Sequence, residues 1–90
     1  MIIHEIVKLL KNNKSLELVV VGHTDNQGSF DHNMELSKRR AQAVVDKLVR
    51  DNGIQSNRLQ YWGVGFLSPV ASNKSEDGRK KNRRVELVEK

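Results

Sequence analysis

The chain has 90 residues, 37% of them hydrophobic and 30% charged. This length suits one small domain, and this composition is typical of a folded globular chain and not of a disordered one. It has no apolar run of the roughly 20 residues that span a bilayer, and its N-terminus lacks the features of a signal peptide. We therefore expect no direct membrane insertion by this chain. Cysteine is absent, which excludes disulfides and thiolate metal sites.

The net charge of +5 is concentrated in one segment. Five basic residues lie between positions 79 and 84, namely Arg79, Lys80, Lys81, Arg83 and Arg84. Such a run indicates an anionic partner, nucleic acid or another polyanion. Nucleic-acid sites of this kind use interleaved aromatic residues or a recognition helix, and no aromatic residue lies within this run. A solvated loop is the simpler interpretation, and polyanion binding through residues 79–84 is kept as the alternative.

The first half of the chain predicts a helix, a strand and a second helix. Apolar residues recur at helical spacing over residues 2–11, with Ile2, Ile6, Leu9 and Leu10 on one face. Residues 16–22, "LELVVVG", are short and β-branched and indicate a buried strand. The second helix is expected to begin near Asn33, where "SFDHN" offers N-cap residues, and to end near Arg50 before "DNG".

The second half predicts two strands joined by a long connection. "RLQYWGVG" and "RRVELVE" are the strands, and the connection between them is expected to hold one helical turn around residues 75–81. The resulting order is α-β-α-β-loop-β, with no strand before the first helix. We expect either a truncated domain or an unusual start. If a strand is missing, one edge of the sheet is exposed and free to pair with another chain, so a homodimer stays open.

One face of the second predicted helix combines apolar residues with an arginine. At about 100° per residue, Arg40 falls inside the apolar stripe centred on Val44, whereas Arg39 points into solvent. A guanidinium on the inner side of a helix needs an anion or a set of acceptors. Arg40 either reaches the rim or a structural carboxylate, or it is held ready for a ligand carboxylate or phosphate.

Asp25 is the anion that Arg40 is expected to meet. It follows the first predicted strand directly, at the sheet edge where α/β proteins build their sites. The pair predicts either an internal salt bridge or a site for a zwitterion, with Asp25 for an ammonium and Arg40 for a carboxylate. Spacing alone leaves both alternatives open.

Other chemistry has weaker support in the sequence. His23, Asp25, Asp31 and His32 have metal-ligand side chains but no typical ligand spacing. We therefore expect no metal, and we interpret His23 as a hydrogen-bonded structural histidine. No nucleophile and base show triad spacing, and "GVGFLSP" lacks the phosphate-loop patterns. We expect neither an enzyme nor a cofactor.

Four motifs, "GHTDNQG", "NMELSKRRAQAVVDKL", "NRLQYWGVGFLSPVASN" and "GRKKNRRVEL", follow one another along the chain. With them the chain resembles the OmpA-like C-terminal domain, the periplasmic peptidoglycan-binding module of outer-membrane protein A, peptidoglycan-associated lipoprotein and flagellar stator protein B. The resemblance covers nearly everything from residue 16 onward. It implies an α/β (α+β) two-layer sandwich of βαβαβ type, with helices on one face of a mixed sheet. Because that family has a strand before the first helix, we expect residues 1–90 to be a single, N-terminally truncated domain.

The resemblance also assigns residues to a function. In that family the aspartate of "HTD" and the arginine of "LSxxRA" bind the diaminopimelate of the peptidoglycan stem; here they are Asp25 and Arg40. Leu36 would pack against the methylene chain of the ligand, and Asn33 would cap the helix while facing the site. The implied pocket residues are Thr24, Asn33, Leu36, Asn82 and Arg83.

The role implied by the resemblance is non-enzymatic. The domain would anchor an outer-membrane or envelope protein to the cell wall, in the periplasm of a Gram-negative bacterium. Peptidoglycan is the implied partner, and no nucleic acid is expected. The sequence leaves open what the domain is attached to and its oligomeric state.

Overall fold

The computed structural model describes residues 3–90. Its elements are α1 (Ile3–Asn12), β1 (Leu18–Gly22), α2 (Phe30–Arg50), a 3-10 turn (Ser56–Arg58), β2 (Leu59–Gly63), α3 (Glu76–Asn82) and β3 (Val85–Glu89). The predicted order is confirmed, including a helix within the long connection. Ile2, which the sequence pattern placed in the first helix, lies outside the described residues.

The strands form a mixed sheet in the order β2-β1-β3. The central strand β1 runs parallel to β2 and antiparallel to β3. Its alternate residues Leu18 and Val20 are buried, whereas Val19 and Val21 are half-buried on the opposite face. The predicted α+β architecture with a mixed sheet is confirmed. Among residues 3–90 the outer edges of β2 and β3 have no neighbouring strand.

The hydrophobic core lies between the sheet and the helices α1 and α2. Most of α1 follows the predicted amphipathic pattern, but Leu9, expected on the inner face, is 42% exposed because Ile6, Val7 and Leu10 fill the contact. The buried core residues are Ile6, Val7, Leu10, Leu18, Val20, Ala41, Val45, Leu48, Ile54 and Leu59.

No helix among residues 3–90 has both the length and the apolar character needed to cross a membrane.

Helix α2 begins three residues earlier than the sequence pattern predicts, at Phe30. Its N-cap is Ser29, whose side-chain oxygen accepts a hydrogen bond from the His32 amide. The expectation that Asn33 caps this helix is therefore wrong. Asn33 lies in the first turn, and its Nδ2 donates to Gln27 O at 2.7 Å and to Ser29 O at 3.0 Å. Asn33 thus fixes the loop between β1 and α2.

Two glycines bring α2 into direct contact with the sheet. Gly22 and Gly63 are register partners at the ends of β1 and β2. A Cβ at Gly22 would overlap the Ser37 carbonyl, and a Cβ at Gly63 would overlap the Lys38 amide. The buried Ser37 hydroxyl also accepts a hydrogen bond from the Gly65 amide at 2.9 Å. This close approach sets the position of the first half of α2 relative to the end of β1.

Arg58 joins the 3-10 turn to the segment after α1. Its guanidinium donates to the carbonyls of Leu16 at 3.1 Å, Leu10 at 2.8 Å and Asn13 at 2.7 Å. The Leu10 carbonyl lies in the last turn of α1, where helix carbonyls lack intrahelical partners, and Asn13 and Leu16 follow the helix. No local sequence signal indicates this long-range role.

We expect Arg58→Ala to lower the free energy of unfolding by about 2 kcal/mol, because it removes three charge-assisted hydrogen bonds to the backbone. Urea denaturation followed by circular dichroism measures the change. Arg39→Ala is the matched control, since the Arg39 side chain is 62% exposed and its pair with Glu35 is 3.6 Å long. Equal stability of the two variants would contradict the role assigned to Arg58.

Candidate functional site

A cavity of about 240 Å³ opens beyond the C-terminal end of β1. The loop after β1 contributes one wall, the first half of α2 a second, and the residue after α3 a third. Most of its residues carry polar or charged side chains that suit a small polar ligand. The lining residues are Thr24, Asp25, Gln27, His32, Asn33, Leu36, Arg40 and Arg83.

Asp25 supplies the carboxylate of the cavity and is only 7% exposed. Its Oδ1 accepts a hydrogen bond from the Gln27 amide at 3.0 Å, and its Oδ2 accepts one from Arg83 at 2.6 Å. Burial acts to raise the pKa of Asp25, but the Gln27 amide and the Arg83 guanidinium outweigh it and bring the pKa below its ordinary value. Asp25 is therefore ionised at neutral pH.

Arg83 bridges two carboxylates. Its second nitrogen, NH2, donates to Glu76 Oε1 at 2.6 Å, and the hydrogen bonds to Glu76 and Asp25 raise the pKa of Arg83. The other Glu76 oxygen accepts from Arg79 at 3.1 Å. Hydrogen bonds from Arg83 and then Arg79 lower the pKa of Glu76. The edge of the site is thus a chain of alternating charges that runs from Asp25 through Arg83 and Glu76 to Arg79.

Arg40 is half-buried and lines the same cavity. Within residues 3–90 its guanidinium forms no hydrogen bond or ion pair in this structure, and Asp25 is paired with Arg83 instead. Of the two alternatives that the sequence left open, the internal salt bridge between Asp25 and Arg40 is therefore not formed. Arg39 points into solvent, as the helical spacing predicts.

Four of the five other predicted pocket residues lie where the sequence places them, at the cavity. Thr24, Asn33, Leu36 and Arg83 line the cavity with Asp25 and Arg40. Thr24 is 3% exposed and its hydroxyl donates to the Asp25 carbonyl at 2.9 Å, so it shapes the loop.

Asn82 does not line the cavity. It is fully buried, and its Oδ1 accepts from the amides of Val70 and Ala71 at 2.8 and 3.1 Å. Its Nδ2 donates to Ala71 O and to Asn73 Oδ1. Asn82 therefore fastens the connection before α3 to the last residue of that helix.

Sequence reasoning did not select three residues of this region. Gln27 and His32 line the cavity, and Glu76 holds Arg83 from outside it. Gln27 lies within the "GHTDNQG" loop, so its proximity to Asp25 in the chain was a usable signal. Nothing local marks Glu76, because its link to the site passes through an arginine seven residues away.

His23 differs from its prediction as a hydrogen-bonded histidine. Its side chain is buried, yet within residues 3–90 neither ring nitrogen has a hydrogen-bond partner. Glu86 Oε2 lies 3.7 Å from Nε2, while the other oxygen of Glu86 accepts from Arg84 at 2.6 Å. Burial and then the Arg84 charge lower the pKa of His23, against the opposing effect of Glu86.

The described residues contain no cluster of three or more His, Cys, Asp or Glu side chains that could hold a metal ion.

The basic run presents fewer free charges than its composition suggests. Arg79, Arg83 and Arg84 are paired with carboxylates of Glu76, Asp25 and Glu86. Lys80 and Lys81 remain exposed on α3. Three of the five basic side chains that indicated a polyanion partner therefore form ion pairs within the domain.

This two-layer α+β fold, with a cavity lined by acidic and basic side chains at the end of its central strand, has known relatives. Residues 1–83 match the model of the OmpA family, and the chain belongs to that family. Outer membrane protein A of Bordetella avium is 49% identical over 70 residues, which are 78% of this chain and 36% of that protein. The peptidoglycan-binding protein ArfA of Mycobacterium tuberculosis is 39% identical over 87 residues, 97% of this chain and 26% of that protein. The chain thus spans well under half the length of these relatives.

Solved structures agree with the fold. The peptidoglycan-associated lipoprotein from Burkholderia pseudomallei superimposes with a TM-score of 0.88 at 26% identity, over 98% of this chain and 74% of that chain. The C-terminal domain of Helicobacter pylori MotB superimposes with a TM-score of 0.88 at 32% identity, over 98% of this chain and 68% of that chain.

Proposed function

We propose that this domain binds peptidoglycan non-covalently through the diaminopimelate of the peptide stem. In this role it anchors an envelope protein to the cell wall, on the periplasmic side of the outer membrane. Relatives named as a peptidoglycan-binding protein and a peptidoglycan-associated lipoprotein support this proposal. The resemblance of the sequence motifs led to the same ligand.

The observation that carries the proposal is the presence of a carboxylate and an unpaired guanidinium in one cavity of the described chain. Asp25 is ionised there, and the Arg40 guanidinium has no hydrogen-bond or ion-pair partner among the described residues. The far end of diaminopimelate carries an ammonium and a carboxylate on one carbon. Asp25 binds the ammonium, Arg40 binds the carboxylate in bidentate geometry, and Leu36 packs against the methylene chain. A site that uses both charges discriminates against an amino acid lacking either one.

The proposed activity is binding without bond cleavage. A general acid at neutral pH needs a pKa raised toward 7, whereas the pKa values of Asp25, Glu76 and Glu86 all lie below the ordinary carboxyl value. These carboxylates suit electrostatic recognition better than proton transfer. A zymogram with purified cell wall tests this part of the proposal, and clearing would refute it.

Calorimetric titration with two muropeptides tests the ligand assignment. One carries diaminopimelate in its stem, and the other carries lysine, which keeps the ammonium but lacks the terminal carboxylate. We expect the diaminopimelate peptide to bind more tightly, by roughly tenfold or more, since a charge-assisted bidentate contact is lost with lysine. Equal affinities would refute recognition of the amino-acid head group.

Arg40→Lys is expected to weaken binding of the diaminopimelate peptide roughly tenfold, because an ammonium cannot form the two parallel hydrogen bonds of a guanidinium. Arg39→Lys is the matched control, with the same chemical change one residue away on the solvent side. Calorimetry with the same peptide measures both variants. A loss of affinity shared by the two variants would contradict a specific role for Arg40.

A further inference from the structure

Arg83 lies between two carboxylates that serve different purposes. Its NH1 donates to Asp25 Oδ2 and its NH2 to Glu76 Oε1, both at 2.6 Å. Asp25 lines the cavity, whereas Glu76 does not and has a 62% exposed side chain. One guanidinium is therefore shared between the site and a residue outside it.

This sharing matters for a ligand that brings its own cation. Each Asp25 oxygen already accepts one hydrogen bond, from the Gln27 amide or from Arg83. A carboxylate oxygen accepts up to two, so room for a ligand ammonium remains. If Arg83 turned both arms onto Asp25 in the bidentate arrangement that guanidiniums favour, three of these four acceptor positions would be filled and the room for the ammonium would be halved.

We propose that Glu76 is a positioning residue for this site, which holds one arm of Arg83 away from Asp25 and so keeps the carboxylate open to the ammonium of the ligand. The inference rests on the proposed function, since it requires a cationic ligand group at Asp25. Glu76 acts only through Arg83 and touches no ligand.

The surroundings of Glu76 fit this role. Its second oxygen accepts from Arg79 Nε at 3.1 Å, and Arg79 NH1 donates in turn to the Asn73 carbonyl at 3.0 Å. Glu76 is therefore also held by a second arginine, which does not line the cavity. The other ionisable groups lining the cavity with Asp25 and Arg83 are Arg40 and His32, both on α2.

The test compares Glu76→Gln with Asp77→Asn. Both variants remove one negative charge from the first turn of α3, but Asp77 forms no ion pair within the described residues. The probe is the soluble tripeptide L-alanyl-γ-D-glutamyl-diaminopimelate, titrated calorimetrically against the 90-residue chain. We expect Glu76→Gln to weaken binding roughly three- to fivefold, in the range of a partly exposed ion pair, and Asp77→Asn to leave it unchanged.

A second measurement needs no ligand. Carbon-13 NMR of the Asp25 carboxyl gives its pKa in each variant. With Glu76 neutralised, Arg83 has Asp25 as its remaining carboxylate, so we expect the pKa of Asp25 to fall further in Glu76→Gln and to stay constant in Asp77→Asn. If Glu76 instead merely pressed Arg83 against Asp25, its removal would loosen that pair and the pKa of Asp25 would rise.

The outcomes separate this inference from the proposed function. Weaker binding together with a lower Asp25 pKa supports the inference. A higher Asp25 pKa, or tripeptide affinity that Glu76→Gln leaves equal to wild type, overturns the inference alone. Absence of tripeptide binding by the wild-type chain overturns the proposed function and the inference with it.

Discussion

Replacing Asp25 with alanine is expected to abolish retention of the domain on purified peptidoglycan sacculi while the fold persists. The substitution removes the acceptor for the ligand ammonium, and charged hydrogen bonds are worth about 1.5–3 kcal/mol each. It also leaves Arg83 without its partner in the cavity, so an unbalanced positive charge would face the incoming ammonium. Both effects act in the same direction, and we expect binding to fall by roughly a hundredfold or more.

Co-sedimentation with sacculi measures this loss, and circular dichroism checks the fold. Asp31→Ala is the control, because Asp31 lies in the first turn of α2, is exposed and forms no ion pair among residues 3–90. Retention of a folded Asp25→Ala variant at the wild-type level would remove the main support for the proposed ligand. Loss of retention by Asp31→Ala as well would show that general charge, and not the cavity, governs adhesion.

The same residue gives a pH dependence with a defined sign. Because the pKa of Asp25 is lower in the folded chain than its ordinary value, ionised Asp25 stabilises the fold at pH values above that ordinary value. This contribution is lost as the pH falls through the folded pKa. The stability difference between wild type and Asp25→Ala should therefore shrink on acidification below about pH 4, and sacculus retention of the wild type should fall over the same range.

The two central site residues were predictable from local patterns. Asp25 directly follows an apolar strand, and helical periodicity places Arg40 on the inner side of a long helix. Both rules depend only on neighbours in sequence. The structure places both in one cavity, as those rules indicate.

The ion pair of Asp25 was not predictable in this way. Its partner Arg83 lies 58 residues further along the chain, and nothing in the composition of the basic run distinguishes Arg83 from its four neighbours. Motif resemblance placed Arg83 near the pocket but said nothing of its pairing or of Glu76. Long-range pairing is decided by the sheet, which sets β3 antiparallel beside β1 and so brings Arg83, two residues before β3, to the end of β1.

The predicted start of α2 was wrong for a related reason. Ser29 and Asn33 are both good N-cap residue types, and sequence alone does not decide which amides remain to be satisfied. The loop decides it here: Asn33 is drawn to the carbonyls of Gln27 and Ser29, which leaves Ser29 to cap α2. His23 likewise shows that burial of a polar ring does not guarantee a partner among residues 3–90.

Gly22→Ala is expected to destabilise the fold strongly and also to weaken binding at the site. A Cβ at this position overlaps the Ser37 carbonyl, which is helix backbone and cannot rotate away. The helix must move, at a cost of about 3 kcal/mol. Because α2 carries Arg40 while Asp25 follows β1, this movement also separates the two groups that the ligand is proposed to bridge. We therefore expect weaker tripeptide binding even after correction for the unfolded fraction.

Gly53→Ala is the comparison that isolates packing from backbone strain. Gly53 has a φ of 69°, and a Cβ added there would meet no described atom within 4 Å. Alanine at this position therefore costs about 1 kcal/mol of left-handed strain and no overlap. Urea denaturation should rank Gly22→Ala well below Gly53→Ala in stability, and calorimetry should show tripeptide affinity reduced only in Gly22→Ala.

If Gly22→Ala lost stability but kept full affinity, the spacing of β1 and α2 would not set the distance between Asp25 and Arg40. The binding geometry would then have to be tolerant of helix displacement, which a rigid two-charge site is not.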